Sequence, residues 1–240
     1  MKKYNFSLLL MTAIFTIVAT SCEKDDTAVG MTVSGTFELV SEQYKQYNDE
    51  ITNVEVEAFE YYLHSGKRVV IARGPYSNGT FSLELPAIVD NIYLTNSLAT
   101  EDLEPYFKVS NKKVKIGIFS FTATDYDEDI ANSIDEKNKE GNGVHWGYSF
   151  KTFPLIYTKS DDISTTEGLF YYADRNCSIT GSLTASDGHY TLTYSTHLKK
   201  GWNIVYHTEK YIETSDKQIR IEELSTNPVS GMKWYVRGDF

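Results

Sequence analysis

The chain has 240 residues, with 23 Lys and Arg against 33 Asp and Glu and a formal charge of −10. So large an excess of acid repels phosphate backbones and anionic surfaces, which excludes nucleic acid as a partner. Two cysteines allow at most one disulfide.

The N-terminus has three zones. Lys2 and Lys3 precede an apolar stretch from Phe6 to Val18, and the small residues Ala19, Thr20 and Ser21 lead to Cys22. The apolar stretch is too short for a permanent membrane span, which needs about 20 residues, but it suits a signal-peptide core. An ordinary signal peptide with an incidental cysteine is one reading. The pattern also resembles the lipobox of bacterial lipoproteins, with Ala19 where leucine is usual. The resemblance implies that residues 1–21 are removed and that the thiol of Cys22 carries the lipid. Acyl chains would then be the link to the membrane, and Cys177 would have no intramolecular partner. Losing Lys2 and Lys3 takes the mature chain from −10 to −12.

Residues 22–30 are polar, with nothing to bury, and read as a flexible acidic tether. Glu23-Lys24-Asp25-Asp26 resembles the surface-export signal of Bacteroidota lipoproteins, and Asp26-Thr27-Ala28 resembles a tripeptide those bacteria O-glycosylate. The resemblance implies anchoring in the outer membrane with display on the cell surface. A solvated linker explains the same composition.

From Met31 onward the dominant period is two, and the apolar residues are β-branched and aromatic, as pleated surfaces prefer. Strands are expected at 32–40, 53–63, 68–74, 80–85, 91–95, 114–124, 146–158, 168–173, 177–185, 190–198, 202–208, 217–224 and 232–237. The fold class is all-β, with one or two antiparallel β-sandwich units behind the lipidated tether. A first unit is expected over 31–125, an acidic helix or loop connector over 126–144, and a second antiparallel domain over 145–240.

Two hairpins can be placed by register. Around the type I′ dipeptide Asp187-Gly188, Leu183 faces Leu192, Gly181 faces Tyr194 and Cys177 faces Leu198, while Thr184 meets Thr191 and Ser182 meets Thr193. One face is apolar and the other carries hydroxyls, so a slip of one residue would destroy the segregation. Cys177 falls on the apolar face and reads as an inert buried thiol. Around Asn78-Gly79, Tyr76 faces Phe81, Gly74 faces Leu83, and Arg73 lies opposite Glu84. Pro75 cannot donate to a ladder, which suggests an edge strand. In 114–124 the apolar residues change face after Ile118, as a bulge or a crossing between sheets would produce.

Only Asp127 to Lys139 argues for a helix, with acids first, lysines last and Gly141 beyond. Within and just before it, Asp125, Asp127, Asp129 and Glu136 stand at positions 1, 3, 5 and 12 of a calcium loop. Ile130 stands where such a loop needs glycine, so any calcium site would not be an EF-hand. A solvated helix start is the competing explanation. Nucleophile-elbow, zinc-protease, paired-cysteine and phosphate-loop motifs are missing, and no catalytic residue can be named. The five histidines are scattered, which points to surface or turn roles. Adjacent Tyr171 and Tyr172 must send one ring to each face of a strand. Together with Trp146, Trp202 and Trp234 they are candidates for contact with a protein or sugar. Packing at sheet edges is the alternative.

Val33-Ser34-Gly35-Thr36-Phe37 and Asn78-Gly79-Thr80-Phe81-Ser82-Leu83-Glu84-Leu85-Pro86 resemble transthyretin-like or carboxypeptidase-regulatory-like β-sandwich modules. The usual Gly-Ala motif is replaced by Asn53-Val54-Glu55-Val56-Glu57-Ala58. Leu198 to Asn203 and Lys233-Trp234-Tyr235 are similar to Bacteroidota lipoproteins with no activity attached. The function expected is a non-enzymatic binding or adhesive module on the cell surface, with a protein or glycan ligand. A surface hydrolase of glycans or peptides, or a structural subunit of a surface assembly, would suit the same features.

Overall fold

The computed structural model describes residues 29–39, 51–59, 68–95, 105–124, 149–159, 163–214 and 217–238. Strand follows strand throughout: β1 (Met31–Leu39), β2 (Asn53–Phe59), β3 (Arg68–Ser77), β4 (Thr80–Leu85), β5 (Phe107–Val109), β6 (Ile116–Thr124), β7 (Ser149–Lys159), β8 (Ile163–Ala173), β9 (Cys177–Thr184), β10 (Tyr190–Leu198), β11 (Gly201–Glu213), β12 (Gln218–Ser225) and β13 (Lys233–Gly238). The all-β expectation holds. In place of the strand expected at 91–95 there is a 3-10 turn, Asn91–Tyr93, because the Asp90 side chain accepts from the Ile92 N–H and caps it. The short strand β5 has no counterpart among the expected strands. The expected helix over 127–139 lies outside the described residues.

All thirteen strands join in one sheet. Seven of them close on themselves in the order β13-β1-β4-β3-β2-β6-β7, with β7 pairing back onto β13. The ring therefore takes strands from both sides of the 126–144 segment. Its last closure is a parallel pair, with Phe37 opposite Trp234. From the ring an arm continues through β8, β11, β12, β10, β9 and β5. Strands β1 and β4 lie side by side in the ring, Val33 opposite Leu83 and Gly35 opposite Phe81.

Two cores result, one on each face of β8. The first fills the ring with Val33, Phe37, Val54, Val56, Phe81, Phe121 and Trp234, and extends to Phe170, Tyr172 and Trp202. Phe81 and Phe121 meet the Trp234 ring at 4.8 and 5.4 Å between centroids. Gly35 makes this possible: a Cβ there would fall onto Cδ1 and Nε1 of Trp234. The second core holds Phe107, Val114, Ile116, Tyr171, Cys177, Ile179, Val205 and Leu224.

Three local expectations change. Strand β6 keeps strict alternation in its pairings with β2, β7 and β8 and needs no bulge. Its apolar residues change face because Ile116 enters the second core while Phe119 and Phe121 enter the first. Strand β3 pairs with β2 along its length but with β4 only at Tyr76 and Ser77, so Pro75, opposite Asn53 of β2, stands where the β4 ladder has ended, in keeping with the edge expected there. Arg73 donates to Glu55 of β2 at 2.7 Å, while Glu84 accepts from Thr32. The β9–β10 register is the expected one, Leu183 opposite Leu192 and Cys177 opposite Leu198. Its turn, however, is centred on Ser186-Asp187, with Gly188 N–H bonding to the Ala185 carbonyl. A type I′ turn needs positive φ at both central residues, and among the described residues only Asn78-Gly79 supplies that, at 50° and 81°.

Candidate functional site

The aromatic residues singled out from sequence that fall among the described residues do not form an exposed site. Tyr171, Tyr172, Trp202 and Trp234 are all buried. Tyr171 and Tyr172 do point to opposite faces, but each face is dry, the first ring entering the second core and the other the first. Two polar ends are used internally: Tyr172 donates to the Ala87 carbonyl at 3.1 Å and Trp202 Nε1 to that of Pro86 at 2.7 Å. Burial raises the Tyr171 phenol far above its ordinary range. Cys177 is a buried free thiol, as expected, donating to the Asn111 carbonyl at 3.7 Å. Cys22, Asp125, Asp127, Asp129, Glu136 and Trp146 lie outside the described residues. Among the described residues no group of three or more His, Cys, Asp or Glu could hold a metal ion.

The arrangement that does stand out is one the sequence pattern does not announce. The β8, β11, β12 and β10 strands lie side by side, so alternate residues form cross-strand rows on one face. Near the chain end of β8 that face is the second core, with Tyr171 and Val205 buried. One row on, Glu167, His207, Leu224 and Tyr194 are neighbours. The next row holds Thr165, Glu209, Glu222 and Leu192, and after it come Tyr211, Arg220 and Tyr190. Within three rows an apolar face becomes ionic.

Glu209 and Glu222 stand directly opposite, which is unfavourable for like charges unless a cation intervenes. Arg220 bridges them, with Nε 2.6 Å from Glu209 Oε1 and Nη2 2.6 Å from Glu222 Oε1. His207 takes the other oxygen of Glu222 at 3.3 Å through Nε2, and Glu167 at 3.1 Å through Nδ1. An imidazole can donate from both nitrogens only as the cation. The hydrogen bond to Glu167 accordingly raises the His207 pKa, against some desolvation. Tyr211 donates to Glu209 at 2.6 Å, and that bond raises its own pKa. The Arg220 guanidinium sits 5.9 Å from the ring centres of both Tyr190 and Tyr211, a double cation–π contact.

The result is an unbroken chain, Glu167–His207–Glu222–Arg220–Glu209–Tyr211, crossing three strands. Its side chains are neither sealed nor free: His207 is 18% and Glu222 13% exposed, Arg220 47%. Such a surface presents a fixed pattern of charge and aromatic edge at little further entropic cost. A sequence signal exists, in His207, Glu209 and Tyr211 following Val205 at a spacing of two, and in Arg220 and Glu222 preceding Leu224.

The chain was compared with protein-family models, curated proteins and solved structures, and nothing matches it in any of the three. Among the described residues no helix is long and apolar enough to cross a membrane.

Proposed function

We propose that this protein is a lipid-anchored module of the outer membrane, facing outward from the cell surface, that binds a protein or glycan ligand without transforming it. The observation that carries the reading is the ionic, tyrosine-flanked face of β8, β11, β12 and β10. Three of its carboxylates are engaged by cations, Glu167 and Glu222 by His207, and Glu209 and Glu222 by Arg220. Carboxylates held in this way offer a rigid recognition pattern, and fixed charge across an interface gives specificity and orientation. The anchor rests on the lipobox-like sequence ending at Cys22, and outward display on the acidic tether after it. The buried tryptophans do not support this reading; the half-buried Tyr190 and Tyr211 beside Arg220 do.

The test is equilibrium binding of the lipidated protein to arrays of host matrix proteins and glycans, alongside Arg220→Ala and Tyr211→Ala. A ligand lost or weakened about tenfold or more by either change is the expected result. Arrays with no ligand at all, or ligands held equally by both variants, would remove the support.

A further inference from the structure

Charge along this chain is not evenly spread. The tether enters β1 at Met31, and that end of the sheet collects the end of β4, the start of β6, the end of β8, the start of β9, the end of β10 and the start of β11. Short contacts tie these segments together. Trp202 Nε1 donates to Pro86, Lys115 N–H to Asp174 and Lys200 N–H to Asn176. A Cβ on Gly201 would lie against the Val29 backbone.

This end carries Lys112, Lys113, Lys115, Arg175, Lys199 and Lys200. The described acids in the same segments are Glu84, Asp90 and Asp174, and the tether adds Glu23, Asp25 and Asp26 against Lys24. Asp174 is held by the Arg175 guanidinium at 2.7 and 3.0 Å, and Asp90 caps the 3-10 turn. Among the described residues of these segments, six cations thus stand against three acids, in a chain of formal charge −10. Large apolar side chains stand out beside these cations: Ile88 is 80% exposed, Val29 71% and Ile92 55%. Exposed aliphatics beside lysines are what an interfacial membrane contact requires. The aliphatics enter the headgroup boundary, and the cations meet anionic headgroups.

The position of the tether decides the occupant. The few residues from Cys22 to Val29 reach at most about 25 Å, so lipid on Cys22 holds this end close to the bilayer. Strand β11 runs from Gly201 at this end to Glu213 at the other, roughly 40 Å at the usual strand rise. The ionic face lies toward its far end. We infer that the end bearing Val29, Ile88, Ile92 and the lysines around them rests on the anionic headgroups of the membrane, fixing the module upright with its ionic face outward. The overall charge argues against anionic surfaces, and the local charge at this one end reverses that. This inference rests on the lipid anchor of the proposed function.

The experiment uses the mature lipidated protein reconstituted in vesicles of phosphatidylcholine, with or without a third of the lipid replaced by phosphatidylglycerol. A fluorophore is placed at Asn91→Cys or Glu213→Cys, and a quencher is attached to the lipid headgroups. Co-flotation with vesicles reports the anchor; quenching reports contact. Expected are flotation of every sample and strong quenching at position 91 in the anionic vesicles, with little at 213. A Lys112→Glu/Lys113→Glu/Lys199→Glu variant should float yet lose quenching at 91 by ~threefold or more. In the unaltered background, raising the salt should also weaken that quenching. Flotation with equal quenching at the two positions, or with quenching at 91 insensitive to both salt and charge reversal, overturns the inference and leaves the anchor standing. Failure to float overturns both.

Discussion

The ring of seven strands depends on Trp234 entering the first core beside Gly35, and this can be tested by exchanging volume between the two positions. In Gly35→Ala the new Cβ would fall onto Cδ1 and Nε1 of the indole and within 3.0 Å of Phe81 Cε1. Overpacking of this kind costs about 1–3 kcal/mol, offset by the ~0.5–1 kcal/mol that alanine gains over glycine in unfolded-chain entropy. The net expectation is a loss of roughly 1–2 kcal/mol. In Trp234→Phe the fused ring system shrinks to a single ring, which leaves it room to shift away from a Cβ at position 35. The Trp234 N–H is buried without a hydrogen-bond partner, so its removal relieves a desolvation cost of about 1–3 kcal/mol and offsets the lost ring volume. Trp234→Phe alone should therefore lie within about 1 kcal/mol of the unaltered protein. With both changes, alanine at 35 should cost nothing, and the two substitutions should couple by about 1–2 kcal/mol in the favourable direction. The assay is urea unfolding of the four proteins, read by circular dichroism with the slope checked for constancy. Additivity to within ~0.5 kcal/mol would refute the packing of Trp234 against Gly35, and with it the closure of the ring through β1 and β13.

Three further outcomes are expected. His207 gains its partners only in the folded state, and its pKa is raised there. The advantage of the unaltered protein over His207→Gln should therefore be complete below about pH 6.5 and fade as pH rises through the folded value. Its size is about 1 kcal/mol, measured by urea unfolding across pH; an advantage that is flat or grows with pH contradicts the ion-pair geometry. Gly79 has φ of 81° with nothing within 4 Å of where a Cβ would stand, so Gly79→Ala should cost about 1 kcal/mol through backbone conformation alone, and no loss of melting temperature would count against the type I′ turn. Val205 is fully buried in the second core, and Val205→Ala should destabilise by about 1.5–3 kcal/mol; a thermal melt unchanged by the substitution would mean that face of β11 is not packed.

The strands are legible in the sequence because their apolar residues alternate, and the β9–β10 register because a slip would mix hydroxyls with leucines. What sequence pattern cannot supply is pairing across long separations. Nothing local in Phe37 or Trp234 says that they lie opposite each other, although their closure of the ring decides the architecture. The expectation of a wet ring at Tyr171 or Tyr172 fails for a more specific reason. Leu169-Phe170-Tyr171-Tyr172-Ala173 is a continuous apolar run, the mark of a strand covered on both faces rather than a half-exposed one. The ionic face is hidden because histidine, glutamate and arginine at alternate positions read as a solvated surface. Only the register reveals that they continue the face occupied by Val205 and Leu224. The strand expected at 91–95 gives way to a single side-chain bond, from the Ile92 N–H to Asp90.

The length of β11 ties these features together. Its thirteen residues exceed what the second core can cover, so the face that buries Val205 must do something else from His207 onward. Leaving it apolar would expose a sticky patch on a paired, flat sheet. Leaving it merely charged would set Glu209 against Glu222 across the strand pair. Arg220 between them, with His207 on the far side of Glu222, resolves both problems, because each acid then has a cation and each cation two acids. A solvated overhang could satisfy its charges with water alone. Here the same charges are fixed to one another and bracketed by tyrosines, at the end of the sheet opposite the tether. That combination of order and exposure is what supports recognition, over mere solubility, in the function proposed. It is also why loss of binding on removing Arg220, with the fold retained, is the most discriminating result for the function proposed.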